Sequence, residues 1–186
     1  MTSVIAIILG FTSYAFVMLS VFRLFRVNYF NPVVKIFAIY LEPISKNFFF
    51  FLPPLFAAIA MALVFKFASF YLAYSSGYET LTLFYLSVVD VLNSGFRILF
   101  YCVIGSVVLS WVAPGSSHPL LEVIEEISAG ILSPIRKFLP PMGGLDFTPI
   151  IGLLVLNLIN TSFIQIIRSL PVSYTHLRAH ETREDR

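Results

Sequence analysis

Apolar residues gather into four long runs along this chain, at about positions 4–25, 55–72, 91–112 and 149–167, separated by segments richer in charge, proline and glycine. A bilayer's hydrocarbon is roughly 30 Å thick, so about 20 predominantly apolar residues cross it as a helix. Each run therefore predicts one transmembrane helix. No Lys or Arg precedes the first run and no small-residue cleavage pattern follows it, which separates it from a secretory signal. It is expected to be retained.

The intervening segments differ in charge. Residues 73–80, AYSSGYET, make a short polar turn without Lys or Arg. The first long connector carries Arg23, Arg26, Lys35 and Lys46, and the second carries Arg136 and Lys137. Positive charge accumulates on the cytoplasmic side of membrane proteins. Both connectors are therefore expected in the cytoplasm and both termini outside, with Arg168 the one charge that argues against it.

In the second connector Leu120, Ile124, Ile127, Ile131 and Ile135 recur at steps of four and three, while Glu122, Glu125, Glu126, Arg136 and Lys137 lie off that stripe. This spacing predicts an amphipathic helix. Tethered at both ends to spans, it is expected to lie in the interface with its stripe toward the acyl chains. Gly130 and Pro134 are expected to break it into pieces. Arg136 and Lys137 would reach anionic headgroups, each contributing on the order of 1 kcal/mol.

A stop and restart follow. Pro140 and Pro141 cannot continue a helix, Gly143 and Gly144 permit positive φ, and Thr148 before Pro149 suits an N-cap with proline at the first helical position. Asp146 can place a favourable charge at the N-terminus of the fourth span. Its alternative role, holding a cation or a basic partner, is one that a single carboxylate seldom fills alone.

Shifting the sequence by 87 positions against itself superimposes Leu52-Pro53-Pro54 on Leu139-Pro140-Pro141, Asn31-Pro32 on His118-Pro119, Phe51 on Phe138, Ile44 on Ile131 and Val21 on Val108. Three prolines in register, from 11 in 186 residues, point to an internal duplication. Each unit contains an even number of spans, so the copies are parallel and not inverted. The expected fold is thus an all-α membrane protein: four transmembrane helices as two parallel helical-hairpin repeats, residues 1–80 and 81–171, with amphipathic interfacial connectors.

Composition narrows the function. Hydrophobic residues make up 58% of the chain and charged ones 12%, against about 25% charge in a soluble domain. A net charge of +2, with basic residues scattered, is too small for a nucleic-acid surface. The lone Cys102 permits no internal disulfide or cysteine-based metal site. No phosphate loop, His-Glu metal pattern or placeable Ser-His-Asp set is present, so neither an enzymatic activity nor a cofactor is expected. His118, in a loop before proline, reads as a turn residue, with a haem or metal role as the alternative.

Ionisable groups inside spans are functional suspects. Asp90, Asn93 and Arg97 share a helix face at the start of the third span, near enough to the turn to snorkel or to neutralise one another. Lys66 lies deeper in the second span and is expected to pair with Asp90 across helices. Asn157 and Asn160 suit hydrogen bonds between helices, with pore lining as the alternative.

The segment Leu109-Ser110-Trp111-Val112, the loop APGSSHP at 113–119, and SPIRKFLPPMGGLDFTPII at 133–151 resemble the second repeat of the YggT (YlmG) family. Residues 26–32, RVNYFNP, with Glu42-Pro43, resemble the family's first repeat, so the likeness covers nearly all of 1–171. Ser45-Lys46-Asn47-Phe48 stands where the family often has paired arginines, and Phe56-Ala57 replaces its glycine pair. The resemblance therefore places any functional surface mainly on the second connector. It implies a non-enzymatic inner-membrane protein acting as a scaffold or assembly factor, in cell division, membrane organisation, membrane-complex assembly or osmotic tolerance. Expected partners are anionic lipid headgroups, other membrane proteins and further copies of the chain. The alternative, motivated by Lys66, Asp90, Arg97 and the asparagines, is an oligomeric ion or osmolyte pathway. Residues 172–186 depart abruptly in composition, and YTHLRAHE resembles adapter read-through, so this tail is expected to be non-native and its His176 and His180 no metal site.

Overall fold

The computed structural model describes residues 2–112, 117–138 and 147–169. They form six helices: α1 (Thr2–Leu24), α2 (Pro32–Phe48), α3 (Pro54–Tyr74), α4 (Thr80–Val112), α5 (Pro119–Phe138) and α6 (Thr148–Ser169). Four of them, α1, α3, α4 and α6, are long and apolar enough to cross a membrane. The regular structure of the described residues is all helical, and the chain is a multi-pass membrane protein. Two shorter amphipathic helices join α1 to α3 and α4 to α6.

Local chemistry marks the helix ends. α1 closes at Arg26, which adopts a left-handed φ of 54°, while the Val27 amide reaches back to the Phe22 carbonyl at 3.0 Å. That bond is the terminating bond of a Schellman turn. Asn31 caps α2, its side-chain oxygen accepting from the Val33 amide at 2.9 Å, with Pro32 at the first helical position. α3 starts at Pro54.

α1 and α3 pack through small residues and hydroxyls. Ala57, Ala58 and Ala62 are buried, the Ser13 hydroxyl donates to the Ala62 carbonyl at 2.7 Å, and the Ser69 hydroxyl donates to the Ala6 carbonyl at 2.6 Å. Phe16 stacks on Phe65 with ring centroids 5.5 Å apart. In hydrocarbon no hydrophobic force drives helices together, so close backbone approach and such hydrogen bonds carry the association. α4 is central, touching α1, α3, α5 and α6.

Two expectations from the sequence are corrected. The third span is a 33-residue helix that starts at Thr80, not near residue 91. Its first three turns bury Leu83 and Ser87, and the Ser87 hydroxyl is satisfied by the Leu83 carbonyl at 2.7 Å, so polar letters there do not interrupt the helix. α5 likewise runs unbroken through Gly130 and Pro134. Pro134 sits on the exposed side, where the carbonyl it frees is not sealed in the core. Gly130 answers a different need. A Cβ there would stand 2.6 Å from Cδ1 of Phe25, so its hydrogen lets α5 close onto the end of α1.

Candidate functional site

α5 has two unlike faces. Val123, Ile127, Ser128 and Leu132 are buried, against α4, α6 and α2, whereas Glu122, Glu125, Glu126, Arg136 and Lys137 are exposed. The stripe expected to face acyl chains instead packs inward. Ile124 and Ile131 lie against the main core, and Ile135 lies against a second cluster of Val103, Leu132 and Leu156. Leu120 stays largely exposed. The cause is local: α4 and α6 offer a grooved apolar surface in which Gly152 makes room for Leu132, at only 2.5 Å from where a Cβ would be. The Ser106 and Ser128 hydroxyls meet at 2.6 Å between α4 and α5.

Further hydrogen bonds fasten α5 to the first half of the chain. The Asn28 amide donates to Oε2 of Glu126 at 2.8 Å, and Nδ2 of Asn31 donates to the Pro119 carbonyl at 2.8 Å and to Glu122 at 3.2 Å. His118 serves at the start of α5, its Nδ1 accepting from the Leu120 amide at 3.3 Å. No group of three or more potential metal-ligating residues exists among the described residues. Arg136 and Lys137 occupy the last turn of α5, where cations complement the helix dipole. Pro140, Pro141, Gly143, Gly144 and Asp146, expected to form the stop and restart, lie outside the described residues, as does the tail.

On α2 the polar centre is Glu42, which sequence reasoning missed. It forms ion pairs with Arg23 and, at 3.2 Å, with Lys46, and it accepts from the Tyr29 hydroxyl at 2.9 Å. The Arg23 guanidinium also lies 4.4 Å from the centre of the Tyr29 ring. Burial raises the Tyr29 phenol above its ordinary pKa, with Arg23 working in the opposite direction. The Nε of Arg23 is buried without a hydrogen-bond partner among the described residues. Only the Glu42–Lys46 spacing of four was visible in the sequence.

The intramembrane polar residues converge. Lys66 Nζ stands 2.6 Å from Asp90, and Arg97 stands 3.9 Å from the other carboxylate oxygen. Lys66 also lies 4.9 Å from the Phe70 ring centre. Because α4 begins at Thr80, Asp90 is about 15 Å along it and not close to the turn. Snorkelling is thereby replaced by pairing: the Lys66 and Asp90 side chains are 18% and 28% exposed, and Arg97 is 51% exposed. On α6, Asn160 donates to Asn93 at 3.3 Å, while Asn157 lines a cavity of about 240 Å³ with Arg97, Tyr101 and Asn160.

Residues 85–167 match the family model described as CCB3/YggT. Over 89 residues the chain is 39% identical to an uncharacterised protein of Pseudomonas aeruginosa, covering 48% of this chain and 45% of that protein. It is 35% identical over 72 residues to the uncharacterised protein YggT of Escherichia coli, covering 39% and 38%. An uncharacterised protein of Haemophilus influenzae is 27% identical over 148 residues, 78% of this chain and 81% of the relative. The matches to the first two span less than half of each relative's length. No solved structure matches.

Proposed function

Because residues 85–167 carry a CCB3/YggT domain, we propose that the chain is a non-enzymatic scaffold or assembly factor of the inner membrane. In this reading α5 is its working surface, presenting Arg136 and Lys137 to anionic headgroups and its acidic residues to partner membrane proteins. One observation carries it: α5 is locked onto the bundle through its apolar face, so its charged face is held outward at a set orientation. A surface preorganised in this way binds without the cost of ordering a free amphipathic segment. A photo-crosslinking residue at the exposed Ser133 tests it. Anionic lipid and membrane proteins are expected among the products, and Arg136→Gln/Lys137→Gln is expected to remove both; an unchanged pattern sinks the reading.

The proposal includes the topology and the duplication. Basic residues cluster on both connectors and are absent from the α3–α4 turn, which supports cytoplasmic connectors and external termini. In a Cys102→Ala background, Ser133→Cys should label from the cytoplasm and Ser76→Cys from outside. The order of long, amphipathic and long helices occurs twice, and Pro32 and Pro119, 87 positions apart, each begin a connector helix. This supports two parallel repeats.

A second reading has its own observation. Asp90, paired with Lys66, lines a cavity of about 420 Å³ together with Asn93, and the Asn93–Asn160 bond links that cavity to the 240 Å³ cavity lined by Arg97, Asn157 and Asn160. An oligomer of the chain would then carry an ion or osmolyte along this layer. Flux from loaded liposomes that is lost in Asp90→Asn supports it; absence of flux ends it.

A further inference from the structure

Helix α6 is the least buried of the four membrane-length helices, 11% against 33% for α1. Its inner side packs on α4 and α5, with Gly152 and Leu156 buried and Asn160 donating to Asn93 at 3.3 Å. Asn157, Thr161 and Gln165 follow one another at steps of four, and all three are exposed. At about 100° per residue they wind over roughly 80° of the helix surface and form one row. Leu154 and Leu158 stand beside it, 63% and 67% exposed.

The bilayer makes this row costly to leave bare. Asn157 lies about 14 Å along α6 from its start at Thr148, close to the middle of roughly 30 Å of hydrocarbon. It borders the 240 Å³ cavity on its inner edge. Yet neither Asn157 nor Thr161 nor Gln165 has a hydrogen-bond partner among the described residues. Acyl chains offer no donor or acceptor, and a side chain as short as Asn cannot reach the interface from that depth. Protein must supply the missing partners.

The row also specifies which protein. It carries two amides and a hydroxyl without any charge, and each of these groups both donates and accepts. Such a row complements itself, whereas a charged row would repel its own copy. Copies of the chain insert with one orientation, because each carries the same distribution of Lys and Arg. A two-fold axis along the bilayer normal then sets α6 parallel to its counterpart and brings each residue of the row opposite itself, as an isologous contact requires. Two Asn side chains meeting across such an axis exchange hydrogen bonds, and a buried Asn of this kind fixes register in parallel coiled coils. A row at steps of four suits helices that cross in the right-handed sense, at about −40°.

We propose that α6 is the interface of a homodimer, formed by Asn157, Thr161 and Gln165 of two copies, with Asn157 paired to Asn157 across the axis. The association is held in the membrane interior. It needs neither the charged face of α5 nor a transported species, and so goes beyond both functional readings.

Cysteine crosslinking of the full chain in membranes tests it. In a Cys102→Ala background, Leu154→Cys, beside the row, should form a disulfide-linked dimer on mild oxidation. Ile159→Cys, exposed on the other side of the helix, should not. A dimer at both positions, or at neither, overturns the interface. An adduct of Leu154→Cys with a protein other than a second copy overturns the choice of partner. Energy transfer between labelled chains diluted in liposomes then measures the strength. Asn157→Leu should weaken dimerisation about tenfold, the size of one good hydrogen bond between membrane helices. Leucine is at home in lipid, so this change does not threaten the fold. Asn157→Gln keeps the amide and should restore most of the affinity. Dimerisation unchanged in Asn157→Leu overturns the Asn157 pair. Capture of lipid and partners by α5 is read separately, so either proposal can fail while the other stands.

Discussion

Helices α2 and α5 each join one membrane-length helix to the next, and each buries one face on the bundle, yet their outer faces have little in common. α2 turns Ile36, Ile39, Tyr40 and Phe48 outward, the last two about 70% exposed, and Phe50 and Phe51 follow it. α5 turns Glu122, Glu125, Glu126, Arg136 and Lys137 outward. Two of the three charges of α2, Glu42 and Lys46, are instead gathered with Arg23 and Tyr29, and Lys35 stays exposed. The outer face of α2 is thus mainly apolar and aromatic, and that of α5 mainly charged. Two amphipathic connectors can share a place in the chain and differ in what surrounds them.

This contrast can be broken experimentally, and the largest effect is expected where charge is most enclosed. Glu42→Gln leaves the partly buried Arg23 without its carboxylate and should cost about 3 kcal/mol, read as loss of helical signal at lower denaturant concentration. Glu42→Gln as tolerant as any surface change would show that α2 has no such centre. Next, Gly130→Val forces a side chain into the Phe25 ring and should cost roughly 2 kcal/mol in the same assay. Glu126→Gln removes only the carboxylate that accepts from the Asn28 amide and should cost about 1 kcal/mol, a third of the Glu42 effect. Equal losses at the two glutamates would erase the distinction between the connectors. The gentlest probe reports depth. In a Trp111→Phe background, Tyr40→Trp should be quenched by brominated acyl chains more strongly than Glu125→Trp, and a reversed order would reject the assignment of the two faces.

The sequence made the four spans legible because each is a sustained apolar run, and it made α5 legible because its isoleucines keep helical spacing. Charge alone suggested that Lys66 meets Asp90, since a buried lysine near the middle of a span needs a carboxylate. The direction of the α5 stripe was not legible. Periodicity reports that a helix has an apolar face, and not whether lipid or protein covers it. The early start of α4 was hidden because Thr80, Ser87 and Asp90 resemble a turn until one sees that Ser87 bonds within its own helix and Asp90 pairs with Lys66. Gly130 looked like a breaker because its neighbour Phe25 is remote in sequence and only the fold brings that ring against it. The Glu42 centre depends on the left-handed turn at Arg26, which reverses the chain and carries Tyr29 and α2 back to Arg23.

The length of α4 has a consequence for the bilayer itself. Thirty-three residues make a rod of about 50 Å, against roughly 30 Å of hydrocarbon. Such mismatch is relieved by steep tilt, by local thickening of the lipid or by projection into water. Whichever relief operates, α4 acts as a strut that joins the Lys66–Asp90 pair at one level to the Ser106–Ser128 contact at another, about 24 Å further along the same axis. A change in membrane thickness or lateral tension that altered its tilt would shift both points at once. One continuous helix thus ties two levels of the bundle together, with α5 packed near one end of it.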